Sequence, residues 1–528
     1  MVAGFAAIVS LLSACAPTPS GAVDATSASG LLVVTTGGTA LVDGQADVPP
    51  TLDLRITGSV RLTPAQVYAV LDGARLPLAA EGDALTASVA PMQLGSDHAL
   101  DLTVPNRRPQ HFAFHVAQPA GAAAAFHTHA DAAVLDVAFE FAPVDRHAVE
   151  AALPGNPAAI TWVDDTHLRA TWAGAPGGSF ALPATLATAR GSHLATPLTI
   201  ALTGEPPGVL RRTVVPEAPA RLSGKPLVVA FTVGTVASRG SLAAHADRIS
   251  VVSPIGLQIG SDGSLSGEPD APAVATANAH GLPVWPLIQN DASDAAGTAA
   301  LLGSDAAVNR LVTAMTSLDF PGVQLDVEGV PPDSRDRLTA MIQRLADAQH
   351  AKGHKLAVAV VPHKPDHLNV YSAAYDLQAI AAKADLVTLM AYDEHTALSD
   401  PGPVAGLQWD QQVLAGSLAD IRDSSVALLG MPLYSRAWES GDVTADSYSA
   451  SVTRALAASS ARVDYDFAAA TPAIHYGDSA ILWFDDAQSL AAKAALVQAE
   501  KLRGVALWRL GFEDPATWNL LPATPPRP

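Results

Sequence analysis

The chain has 528 residues, 49% hydrophobic and 16% charged, enough for about three or four domains and too apolar for disorder outside linkers. Lys and Arg number 31 against 51 Asp and Glu, a formal charge of -20 with no polybasic run, which argues against nucleic acid as a partner. The one cysteine, Cys15, excludes an internal disulfide and a thiolate metal site.

Residues 2–12 form an apolar run that closes on Leu12-Ser13-Ala14-Cys15. It is shorter than the about 20 residues a bilayer span needs. Residues 1–15 resemble a bacterial lipoprotein signal, which implies lipidation of Cys15 and an exported, membrane-anchored protein facing the envelope or exterior. No Lys or Arg precedes the apolar run, a departure from that pattern. Residues 16–30, with Pro17, Pro19 and Gly21, read as a flexible tether.

Residues 31–118 alternate β-type runs (31–36, 51–56, 66–71, 85–89, 98–104, 110–117) with turns such as Asp72-Gly73, which predicts an immunoglobulin-like sandwich. Residues 119–205 repeat the style at 134–141, 159–163, 167–172 and 198–202, predicting a second such module. In it, Trp162 and Trp172 read as core or interstrand residues rather than a sugar-stacking surface. Both modules read as spacers. Pro206, Pro207, Pro216 and Pro219 mark 206–225 as a proline-rich linker.

From residue 226 strands alternate with helical stretches. Strands are predicted at 227–233, 248–254, 283–288, 322–328, 355–361, 384–392, 425–432 and 504–509, and helices among others at 306–318, 333–352, 373–383, 408–422 and 485–503. This is the count of a closed (β/α)8 TIM barrel over 226–520, leaving a tail at 521–528. Three further β-like runs, 462–467, 473–476 and 480–484, predict a small β insert beside the cleft.

The fourth strand lies in Phe-Pro-Gly-Val-Gln-Leu-Asp-Val-Glu-Gly, residues 320–329. Strand alternation puts Gln324, Asp326 and Glu328 on one face and Val323, Leu325 and Val327 on the other. Two acids thus converge at one strand end, where an ionised carboxylate loses solvation unless paired or protonated. Three more motifs close later strands: Leu389-Met390-Ala391-Tyr392-Asp393-Glu394-His395, Gly430-Met431-Pro432-Leu433-Tyr434, and Gly504-Val505-Ala506-Leu507-Trp508-Arg509.

Together these four motifs resemble the family 18 glycoside hydrolases, the chitinase-like barrels, and lie nearest their spore-germination and cortex-lytic branch. The family pattern Asp-Gly-x-Asp-x-Asp-x-Glu is matched in its last two acids, Asp326 and Glu328; Pro321 and Gln324 replace the others. The resemblance implies a retaining, substrate-assisted cleavage of β-1,4 bonds next to N-acetylglucosamine, in peptidoglycan or a chitin-like glycan. Glu328 would be the general acid and then base. Asp326 would orient the acetamido N–H, accept a hydrogen bond from Gln324 and stay ionised. Tyr392 would hold the acetamido oxygen, Asp393 would support Tyr392 or bind sugar hydroxyls, Tyr434 would add a second contact, and Trp508 would floor the sugar site. A glycan-binding protein without catalysis on the same barrel is the alternative, and an envelope assembly protein working through its β modules is a third reading. His363 and Lys364 fit a cleft lining or a solvated loop, and Glu394-His395 fits a sugar-binding loop element. No cofactor is implied, and the histidines show no metal-ligand spacing.

Overall fold

The computed structural model describes residues 33–528, apart from 37–38, 106, 130, 190–191, 205, 219–220, 366–367 and 524. The signal, Cys15 and the tether lie outside the described residues. The chain divides into two compact units, Met1–Gln118 and Pro119–Pro528.

In the first unit, two five-stranded sheets enclose one core. The strand Asp53–Thr57 alternates exposed Asp53 and Arg55 with buried Leu54 and Ile56, the period-two pattern of a half-buried sheet. Leu54, Ile56 and Leu85 of one sheet meet Leu100, Leu102 and Phe114 of the other.

The second unit begins with a five-stranded antiparallel sheet in the order Ala159–Trp162, His167–Trp172, Ala133–Phe139, Ala122–Thr128, Leu210–Val215. Its last strand occupies the stretch read as a linker, so residues 210–215 are corrected to sheet. The strand Ala122–Thr128, unmarked by β propensity because of its alanines, is buried along its whole length. The alanines are explained by what lies on each face. Ala122, Ala124 and Phe126 face the module's own core, while Ala123 and Ala125 face Tyr465, Phe467 and the core of the barrel's insert. A Cβ at Gly121 would come within 2.7 Å of the Phe467 ring. This sheet is therefore packed into the barrel unit and is not a spacer. Trp162 and Trp172 serve its core, Trp162 stacking on Phe139 at 6.2 Å and Trp172 donating to the Pro154 carbonyl at 3.1 Å.

The barrel strands are β1 (Leu227–Thr232), β2 (Val251–Pro254), β3 (Leu287–Gln289), β4 (Gly322–Asp326), β5 (Lys355–Val360), β6 (Leu386–Leu389), β7 (Ala427–Pro432) and β8 (Gly504–Trp508). Consecutive strands pair in parallel from β3 to β8, β8 pairs with β1 and β1 with β2. A parallel bridge from Val252 to Val284 closes the ring. Leu227, Val229, Leu287, Ala357, Leu386, Leu428 and Ala506 fill its interior, and alternate residues such as Val228, Val323 and Leu325 face the surrounding helices. Between β7 and β8 stands a five-stranded insert in the order Asp442–Ser447, Tyr434–Glu439, Ala480–Trp483, Thr471–Tyr476, Arg462–Asp466. Its first two strands carry Arg, Glu and Asp and were not legible as apolar runs.

Polar groups fix the leading sheet to the barrel unit. Arg169 donates to Asp136 at 2.8 Å and to the Ala461 carbonyl, and Asp136 accepts the Val463 amide at 2.9 Å. His167 lies between Asp164 and Asp464, at 2.9 and 2.7 Å.

Candidate active site

β4 enters the barrel at Gly322, whose bare Cα faces the Trp285 indole; a Cβ there would sit 2.7 Å from the ring. The strand then points Gln324 and Asp326 inward, 1% and 9% exposed, and half-buried Glu328 follows two residues beyond its end. Gly329 follows with φ 63°, a turn that a side chain would block against the Ala292 carbonyl.

The expected Gln324 to Asp326 hydrogen bond is absent: both amide atoms of Gln324 and Oδ1 of Asp326 are buried without a partner among the described residues. The expectation that Asp326 stays ionised is corrected as well. Burial first, and then the Glu328 charge, push its pKa up to about 8, so it holds a proton at neutral pH. Burial and the Asp393 charge also raise Glu328 above the ordinary carboxylate range. The two acids titrate as a pair that shares a proton between them.

Two residues that sequence reasoning missed hold this strand end. Asn290, just beyond β3, accepts the Glu328 N–H at 2.9 Å, donates to the Glu328 carbonyl at 2.8 Å, and donates to Thr298 at 2.8 Å. Buried Tyr375 donates its hydroxyl to the Val327 carbonyl at 2.8 Å. The backbone of the acid is thus held from both sides. The only trace of Asn290 in the sequence is its place at the C-terminal end of a barrel strand.

Beyond β6, burial and the charges of Asp326, Glu328 and Asp393 raise the pKa of half-buried Tyr392 well above the phenol range, so its hydroxyl remains a donor beside the acids. Its ring passes 3.1 Å from the place a Cβ would take on Gly430, where that Cβ would also overlap the Leu389 carbonyl. Glycine in β7 thereby seats the tyrosine. Asp393, with φ 62°, accepts from the Tyr434 hydroxyl and from Arg436 at 2.8 Å. Its carboxylate is therefore tied to Tyr434 rather than to Tyr392, and the Tyr434 hydroxyl is committed to it. The Tyr392 and Tyr434 rings meet edge to face at 6.4 Å. Trp508 closes β8 level with Pro432, half-buried and tilted against Phe231 at 5.4 Å.

His363 neither lines a cleft nor sits in a solvated loop. It is buried, with Nδ1 on Asp420 at 2.8 Å and Nε2 on the Ser372 carbonyl at 3.1 Å. Lys364, Glu394 and His395 line a cavity of about 230 Å³ with Gln408, Trp409 and Gln412. Among the described residues no His, Cys, Asp and Glu cluster is placed to hold a metal ion.

Residues 303–513 match the family described as Glycosyl hydrolases family 18. The crystal structure of a chitinase from Chromobacterium violaceum ATCC 12472 is 30% identical with a TM-score of 0.52, covering 56% of this chain and 96% of that one. The spore cortex-lytic enzyme SleL of Bacillus megaterium QM B1551 shares the fold at 22% identity and TM-score 0.52, over 58% of this chain and 75% of that one. Among curated proteins, the uncharacterized glycosylase YvbX of Bacillus subtilis is 24% identical over 311 residues, 56% of this chain and 90% of that protein. The cortical fragment-lytic enzyme of the same organism is 25% identical over 224 residues, 40% of this chain, and the chain spans about half of its length, 52%. With these acids at the mouth of this barrel, the chain carries a glycosidase domain and belongs to glycosyl hydrolase family 18.

Proposed function

We propose that the protein hydrolyses β-1,4 bonds next to N-acetylglucosamine in peptidoglycan or a chitin-like glycan, with retention at the anomeric carbon. One observation carries this reading: Asp326 and Glu328 stand two residues apart at the buried end of a barrel strand, with the Tyr392 hydroxyl near enough to feel both charges. The cortical fragment-lytic relatives favour the peptidoglycan arm.

In this mechanism Glu328 gives its proton to the glycosidic oxygen as the acetamido carbonyl oxygen of the substrate bonds to the anomeric carbon and the C–O bond breaks. Asp326 accepts the acetamido N–H through the Oδ1 that has no protein partner. Tyr392 donates to the carbonyl oxygen. Glu328, now a carboxylate, takes a proton from the water that opens the cyclic intermediate. Trp508 offers its face beneath the sugar. Export and anchoring through lipidated Cys15 belong to the same reading, and labelling with a radioactive fatty acid that a Cys15→Ser protein fails to take up would support it.

The activity is tested by mass spectrometry of products from purified peptidoglycan and from chitin oligosaccharides, with wild type and Glu328→Gln compared. Wild type alone should release fragments with N-acetylglucosamine at the reducing end. Binding by both proteins without cleavage by either would replace the hydrolase with a glycan-binding protein.

A further inference from the structure

Next to the catalytic constellation lies the cavity of about 230 Å³ that the mechanism leaves unused. Glu394, which follows Asp393 directly, forms part of its wall, so it opens beside the strand end that carries Tyr392. Its other walls come from the loop after β5, from the start of the helix Leu407–Ile421, and from the insert at Asp466, Ala468 and Ala469.

The chemistry of this lining is mixed in a particular way. Half-buried Lys364 has no ion pair or hydrogen bond among the described residues. Two acids share the lining with it: Glu394 accepts the Gly406 N–H at 2.7 Å, and Asp466 accepts the amides of Ala468 and Ala469, each at 2.9 Å. Gln408 and Gln412 stand four residues apart, one helical turn, with side-chain amides that have no partner among the described residues. Half-buried Trp409 adds an apolar face. The cavity thus carries charges of both signs, the Lys364 ammonium, which acts on Glu394 electrostatically without a direct ion pair, and the two carboxylates; a peptide brings charged groups of both signs, whereas a strand of N-acetylglucosamine alone brings none. Two planar amides beside Lys364 match peptide groups, which offer a donor and an acceptor in one plane.

We propose that this cavity binds the peptide substituent of a peptidoglycan strand, with Lys364 taking a carboxylate and Gln408 and Gln412 pairing with peptide groups. The proposal rests on the hydrolase reading of the neighbouring acids and selects peptidoglycan over chitin as the substrate. Trp409 covers the apolar part of the peptide.

The test compares three substrates: peptidoglycan strands with their peptides, the same strands after the peptides are removed by an amidase, and chitohexaose. Lys364→Ala should lower kcat/KM about tenfold on the peptide-bearing strands, the size of one charged hydrogen bond. It should leave the other two substrates unchanged, and Lys364→Arg should retain most of the activity. An equal loss on all three, as an ordinary sugar subsite would give, overturns the proposal, as does no loss on any. Binding to the Glu328→Gln protein, with and without Lys364→Ala, is measured separately by co-sedimentation with the two strand preparations. A preference for peptide-bearing strands that Lys364→Ala abolishes upholds the pocket even if wild type cuts nothing, in which case only the hydrolase reading falls. No such preference overturns it.

Discussion

Arg212, in the last strand of the leading β sheet, donates twice to Asp486, at 2.8 and 2.7 Å, and Asp486 is the N-cap of the barrel's final helix, Ala487–Ala499. Both side chains are nearly sealed from solvent. Removing one partner strands a buried charge, so Arg212→Met should cost about 3–5 kcal/mol. Urea unfolding should show the loss in the transition of residues 119–528, and pairing Arg212→Met with Asp486→Asn should recover part of it. A change under about 0.5 kcal/mol, typical of a surface pair, would mean the contact does not hold the sheet to the barrel.

Asp326 predicts a stability that falls with pH. Its folded pKa, about 8, lies above that of an unfolded aspartate, so the folded state binds the extra proton. The stability this contributes is full below the unfolded value near 4 and is lost as pH rises through the folded value. Asp326→Asn has no proton to lose. Relative to wild type it should therefore gain stability at pH 9, on the order of 4 kcal/mol, compared with pH 5. Thermal melts at the two pH values check this, and parallel loss in both proteins would show that Asp326 is not the group concerned.

Asn290 touches only the backbone of the acid, yet it should matter to the rate. Asn290→Ala frees the Glu328 amide and carbonyl from their 2.9 and 2.8 Å bonds. Misplacing a catalytic group by about 1 Å can cost about a hundredfold, so kcat should fall by roughly that factor with KM nearly unchanged. A rise in KM at constant kcat would make Asn290 a substrate contact instead.

Gly430→Ala should act through Tyr392. The new methyl overlaps the Leu389 carbonyl and crowds the tyrosine ring at 3.1 Å. Activity on N-acetylglucosamine substrates should drop at least tenfold, roughly the lower end of what one positioned group contributes. Near-ultraviolet circular dichroism should shift as the ring moves; an unchanged rate would show that Tyr392 tolerates displacement.

The barrel was legible because each of its strands is an apolar run followed by a helix, and because Asp326 and Glu328 stand at alternate positions on one of them. What escaped notice depends on distant partners. Leu210–Val215 carries two arginines between prolines and reads as linker until Asp486 is seen to neutralise one of them across 274 positions of sequence. Ala122–Thr128 has alanines where β-branched residues would announce a strand, since larger side chains would collide with the insert. Asn290 and Tyr375 are single polar residues with no spacing relation to Glu328; only the closed ring brings them to it. The charge state of Asp326 was misread for a related reason: the hydrogen-bond donor expected beside it, Gln324, does not reach it.

The Arg212 to Asp486 contact also orders events during synthesis. A ribosome delivers the leading sheet of this unit long before residue 486 emerges, so the nascent chain carries an arginine whose counter-ion has not yet been made. The Arg212 contact cannot form until the last helix arrives. This unit therefore completes its packing only after most of its chain has been made, and its early portion is the stretch that a chaperone on the elongating chain would meet incomplete.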